Sequence, residues 1–160
     1  MRFATVTGTD LLRRKVTLPD DLQGELNILF LAFFQWHQAL VDGWVPFAQQ
    51  LEGSFPGLKY YEIPVIYKMN VLSQSLLNAG MRAGIPHPTT RQKTITLYLD
   101  KAAFRTALDI PDEETIRVLL LDRQGDIAWR ADGAFSVEKG VDLLEAIQEL
   151  SGITAAESKS

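Results

Sequence analysis

At 160 residues, with 46% hydrophobic and 22% charged residues, the chain has material for one domain with one proper core and too little for two. Its formal net charge of −4 gives no electrostatic push toward nucleic acid or an anionic membrane surface, and the short Arg13-Arg14-Lys15 run reads as a solvated turn. Cysteine is absent, which removes disulfides, thiolate metal sites, thiol nucleophiles and cysteine peroxidase chemistry together.

No apolar run reaches the ~18 residues that a membrane span requires. The amino terminus, MRFATVTGTDLLRRK, has neither a hydrophobic signal core nor a small-residue cleavage site. A cytoplasmic protein is therefore expected, unless a targeting segment has been removed; peripheral contact with a membrane stays open.

In chain order, Gly8-Thr9-Asp10 reads as the turn of a small amino-terminal hairpin, with Val16-Thr17-Leu18 as its clearer strand. Pro19-Asp20-Asp21 opens a turn that ends near Gly24. Leu26 to Phe34 is nearly all apolar, which predicts a strand covered on both faces. A helix over Gln38 to Leu51 follows, its apolar stripe made by Leu40, Trp44, Phe47, Ala48, Leu51 and then Phe55. Pro46 inside it predicts a kink or a late start. Leu58 to Ile66 is the next strand, with Pro64 marking an irregular or edge end. Asn70 is a candidate cap for a helix from Val71 to about Arg82, and IPHPTTR, Ile85 to Arg91, is a proline loop.

Thr94 to Leu99 alternates β-branched residues and reads as a strand; Asp100 then caps a short helix carrying Phe104, Ala107 and Leu108. Ile116 to Leu121 is a fully buried strand, turned by Asp122 to Asp126 into a last strand, Ile127 to Ala134. Ser136 caps the final helix, with Leu143, Ile147 and Leu150 as its inner face. Residues 1–150 are expected to form a single domain, and 151–160 a disordered tail.

The stretch LLLDRQGDI, following LDIP, resembles the carboxyl-terminal half of thioredoxin-like redoxins of the alkyl hydroperoxide reductase and thiol-specific antioxidant type. KVTLPDDLQGELNILFLAFF similarly resembles the way those domains lead into their first core strand. Within that superfamily, YLDKAAFRTALDIP with RVLLLDRQGDIAWRADGAF most resembles the mitochondrial ATP-synthase assembly-factor family. The resemblance implies an α/β fold: a thioredoxin-like three-layer α/β/α sandwich on a mixed central sheet with an amino-terminal hairpin. It also implies a role in assembling the membrane sector of ATP synthase.

The chain departs from that pattern where the chemistry would be. A thioredoxin would carry Trp-Cys-Gly-Pro-Cys at the junction of the first core strand and its helix; this chain has Trp36-His37-Gln38-Ala39-Leu40. The family's cis-proline would stand near Thr115 and Ile116, where none occurs, and Pro111 is too early. Thiol-disulfide exchange and cysteine peroxidase turnover are excluded on residues.

What remains is a binding reading and a weaker catalytic one. His37 occupies the reactive place and could act as a base near neutral pH, but spacing forces no partner on it, Asp42 being the nearest acid. The alternative is a partly exposed turn histidine beside Trp36. Phe34, Trp36, His37, Gln38 and Trp44 bracket the junction and could form a patch for a partner peptide, against the plainer reading of tryptophans, Trp129 included, as core anchors. His87 lies between two prolines; with two histidines and no cysteine, a zinc or copper site would have to recruit carboxylates, against the plainer reading of a packed proline-flanked loop. Arg105, Arg123 and Arg130 could form a positive rim, against a solvated surface. No cofactor or metal is expected, nor a nucleic-acid partner. The expected function is that of a redox-inactive, protein-binding factor of assembly or chaperone type. The alternative is a redoxin-related enzyme or small-ligand binder using non-thiol chemistry at the junction.

Overall fold

The computed structural model describes residues 1–67 and 93–152. Seven strands form one mixed sheet: β1 (Val6–Asp10), β2 (Lys15–Leu18), β3 (Leu26–Ala32), β4 (Leu58–Tyr67), β5 (Ile95–Leu99), β6 (Arg117–Leu121) and β7 (Ile127–Asp132), in the order β2-β1-β5-β4-β3-β6-β7. Among the described residues three α-helices accompany it: α1 (Gln38–Ser54), α2 (Lys101–Ala107) and α3 (Val137–Ser151). The helix expected over Val71 to Arg82, the 85–91 loop with His87, and nearly all of the tail lie outside the described residues.

β3 runs parallel to β4 and antiparallel to β6, so it is hydrogen-bonded on both edges. Its alternate side chains serve two cores. Ile28, Phe30 and Ala32 pack with Val41, Trp44, Ala48 and Leu51 of α1 and with Leu143 and Ile147 of α3. Leu29 and Leu31 pack on the opposite face with Phe3, Leu18, Phe104 and Leu108. That is why the run needed apolar residues at every position, and it makes the molecule a three-layer α/β/α sandwich as expected.

Some boundaries and faces differ from the sequence reading. The hairpin turn falls at Leu11–Arg14 and not at Gly8-Thr9-Asp10, because the Asp10 carboxylate accepts the backbone N–H groups of Leu12 and Arg14, both at 2.9 Å. Gly8 lies within β1, where a Cβ would stand 2.6 Å from the Thr96 carbonyl oxygen. The α1 helix begins at Gln38 and continues through Pro46 to Ser54, so the proline does not delay its start. Its buried stripe is Val41, Trp44, Ala48 and Leu51; Leu40, Phe47 and Phe55 sit half-buried at its margins. β7 stops at Asp132 because Gly133 takes φ +81°, outside the strand region. Leu150 is 43% exposed and so is not part of the inner face that Leu143 and Ile147 make.

Candidate functional site

β3 ends at Ala32, and the chain turns at once through a 3-10 turn, Gln35–His37, into α1. The two phenylalanines in between continue the alternation of the strand. Phe33 therefore points into the core, while Phe34 is 47% exposed; Trp36, on the turn, is 61% exposed.

Between them His37 is completely buried, which corrects the expectation of a partly exposed turn residue. Its ring is enclosed edge-on by Trp36 at 4.3 Å, Phe34 at 5.4 Å and Phe33 at 6.3 Å between centroids. Its Nδ1 accepts the Phe33 backbone N–H at 2.9 Å. Accepting that bond requires the Nδ1 lone pair, so the ring is neutral with its proton on Nε2. Nε2 is buried and has no hydrogen-bond partner among the described residues. The His37 pKa is lowered, first by burial and then by the Lys101 and Arg117 charges; the Glu114 backbone carbonyl and Glu113 pull the other way, the former without hydrogen-bonding geometry to Nε2. A base in this place would have to surrender the bond that ends β3. The geometry gives His37 a structural task.

A pH dependence follows, with its sign. The lowered native pKa means that the unfolded chain binds more protons just below the ordinary histidine value. The His37 contribution is present above pH ~6.5 and declines as the pH falls below it toward the native pKa. Urea unfolding of wild type and His37→Asn over that window should differ in slope. Asparagine keeps an acceptor for Phe33 but does not titrate, so its curve should be the flatter one.

The neighbouring charges come from far along the chain. Lys101, at the start of α2, donates to the Phe33 carbonyl at 2.6 Å, reaches Glu113 at 3.3 Å and lies 4.4 Å from the Phe34 ring centroid. Glu113 also accepts from Arg105 Nε at 3.0 Å. Arg117, only 6% exposed, donates to Asp112 at 2.5 Å and to Asp132 at 3.0 Å. On the other side of the turn, the Gln38 side-chain amide donates to both Asp42, at 2.9 Å, and Glu62, at 2.8 Å. Burial raises the Glu62 pKa, with Gln38 opposing the shift.

The five residues expected to form a patch therefore divide. Phe34, Trp36 and Gln38 share the surface at the junction, whereas His37 and Trp44 are inside and cannot touch a partner. Trp44 faces inward because it lies three residues after Val41 on the buried stripe of α1. The arginine rim does not assemble: Arg105 is tied to Glu113, Arg130 donates to the Leu108 carbonyl at 2.8 Å, and Arg123 faces Glu25 at 3.5 Å. Lys101, Glu113 and Arg117 were missed by sequence reasoning. An arginine heading the otherwise apolar RVLLL run was the available signal. Among the described residues no group of three or more His, Asp or Glu side chains could hold a metal ion, and no helix is long and apolar enough to cross a membrane.

No family model matches the sequence, and no curated protein matches it. Solved structures do. A thioredoxin domain of a thiol-disulfide oxidoreductase from Bacteroides vulgatus is 14% identical, with a TM-score of 0.56 over 92% of this chain and 95% of that one. A thiol:disulfide interchange protein from a Bacteroides species is 14% identical, with a TM-score of 0.58 over 97% and 91%. The pneumococcal exposed lipoprotein thioredoxin from Streptococcus pneumoniae is 11% identical, with a TM-score of 0.58 over 92% and 100%. The fold is thioredoxin-like, in a chain that has no cysteine.

Proposed function

We propose that residues 1–150 form one thioredoxin-like domain that carries no thiol chemistry and acts by binding another protein at the β3–α1 junction. The observation that supports this most is the pairing of Phe34 and Trp36, two exposed aromatic rings standing against a buried, neutral His37. Large aromatics at a surface supply much contact area for little side-chain entropy, which is why they dominate binding hot spots. The His37–Phe33 bond and the Lys101–Phe33 bond hold the backbone beneath them, so the rings are presented on a fixed base. The resemblance of the second half to the ATP-synthase assembly-factor family suggests the kind of work: assembly or chaperone-like handling of a partner, with the membrane sector of ATP synthase as the first candidate, and a cytoplasmic location.

Comparative capture tests this reading. Phe34→Ala and Trp36→Ala remove exposed rings and should leave stability within about 0.5 kcal/mol of wild type. They should nonetheless strip specific partners from the protein isolated from its native cell. Partner sets unchanged in both variants would count against this surface. The enzyme or ligand-binding alternative needs His37 to exchange protons, and the Nδ1 bond to Phe33 argues against it. A substrate turnover lost on His37→Asn would restore it.

A further inference from the structure

Helices α1 and α3 lie side by side on one face of the sheet, and α3 presents a glycine where they meet. A Cβ on Gly140 would stand 3.3 Å from the Phe47 ring of α1 and 3.1 Å from the Phe135 ring. Those two rings are 5.3 Å apart between centroids and only half-buried, so their outer edges reach the surface at the seam. On α3, Val137 and Leu144 lie three residues before and four after Gly140, and Val141 stands between them on the outer side. Val137 is 75% and Val141 47% exposed, and Leu144 is half-buried. An apolar strip therefore runs along the seam.

The charges beside this strip are of one sign. Glu138, Asp142, Glu145 and Glu149 recur at four-, three- and four-residue steps along α3, all exposed and none in an ion pair among the described residues. There is no Lys, Arg or His in α1, and the one basic residue of α3, Lys139, is engaged by the Asp132 and Ala134 carbonyls at 2.6 and 2.9 Å. Like charges at this spacing repel, and Glu149 opposes the helix dipole in the last turn. The stripe lowers the stability of α3, and no cation among the described residues offsets it. Local choices that work against the fold mark surfaces kept for another purpose.

Charge complementarity selects the occupant. A second copy would bring acid against acid, and an anionic bilayer would be repelled. The apolar and acidic stripes run side by side along α3, and an amphipathic helix laid along it matches them with two stripes of its own. We propose that the α1–α3 seam docks a basic amphipathic helix of a partner protein. Its apolar side chains lie on Val137, Val141, Leu144 and the edges of Phe47 and Phe135, and its lysines or arginines face Glu138, Asp142 and Glu145. The surface uses neither Phe34 nor Trp36 and does not depend on the reading of the β3–α1 junction.

Titration of the full chain with a Leu/Lys peptide that forms an amphipathic helix of about four turns tests the proposal by calorimetry and by amide chemical-shift changes. A scrambled peptide of the same composition and a Leu/Glu helix serve as controls. The expected result is saturable binding of the Leu/Lys helix, weakened by salt, with shifts on α3 and around Phe47 and not at Phe34 and Trp36. Affinity should fall at least about tenfold in Glu138→Gln/Asp142→Asn/Glu145→Gln and, separately, in Val137→Ser/Val141→Ser. All five side chains are exposed, and the first variant relieves repulsion within α3, so both should keep the wild-type melting temperature. No saturable binding, or equal affinity in wild type and both variants, overturns the site. Equal binding of the scrambled peptide or of the Leu/Glu helix overturns the choice of occupant, as does a dimer of this chain that Val137→Ser/Val141→Ser dissociates.

Discussion

Trp44→Ala should unfold this protein more readily than any change at the exposed junction, by about 3–5 kcal/mol in urea denaturation. Trp44 is fully buried, its ring 5.9 Å from Phe30 and 5.2 Å from Phe135, so alanine would leave a large cavity between α1, the sheet and the segment before α3. The loss includes a hydrogen bond, because Nε1 donates to the Gly133 carbonyl at 3.0 Å and ties α1 to the turn after β7. Trp44→Phe separates the two effects: it refills most of the volume and should cost about 1–2 kcal/mol, chiefly for the unpaired carbonyl. Trp36→Ala provides the contrast. A melting temperature depressed equally by Trp36→Ala and Trp44→Ala would contradict the burial assigned to each.

The second large effect concerns Arg117 and depends on which partner is removed. Its guanidinium is buried, while Asp112 and Asp132 are 42% and 61% exposed at their side chains. Asp112→Asn with Asp132→Asn would leave a buried cation without counter-charge and should cost about 3 kcal/mol or more. Arg117→Met would instead leave two carboxylates that water can solvate, and methionine can fill much of the space beside the Leu29 core. It should lie within about 1.5 kcal/mol of wild type. Equal losses in the two variants would mean that the ion pairs themselves, not the desolvated cation, carry the energy. The Arg117 Nε is buried without a hydrogen-bond partner among the described residues, while its Nη2 donates to both the carbonyl and the carboxylate of Asp112 and so positions the loop whose Glu113 accepts from Lys101.

How much of this was legible depends on how local each determinant is. The two-sided burial of β3 could be read directly, because every position from Ile28 to Phe33 is apolar and no single-faced strand needs that. The caps at Asp100 and Ser136 were legible for the same reason: each side chain accepts an N–H three residues on, from Ala103 at 3.1 Å and from Lys139 at 3.2 Å. The hairpin turn was local too and was still misplaced, because Asp10 was read as a turn residue when its carboxylate in fact shapes the turn after it.

At the junction, the identity of the residues was plain and their exposure was not. Whether Trp44 faces solvent depends on the phase of α1 against the sheet, and a stripe with Leu40 in place of Val41 leaves that phase undecided. Burial of His37 depends on Phe33 ending the strand where it does, and on Lys101 and the 112–114 loop closing over it from more than sixty residues away.

The sequence by itself determined that cysteine chemistry is impossible here and, in outline, the order of strands and helices, because composition and period are properties of neighbouring residues; the thioredoxin-like reading of that order came from the resemblance carried by LLLDRQGDI and its flanks. The tertiary structure alone decided that the reactive place holds a buried neutral histidine beneath two exposed aromatic rings. Burial and protonation are set by groups that folding brings together from distant parts of the chain.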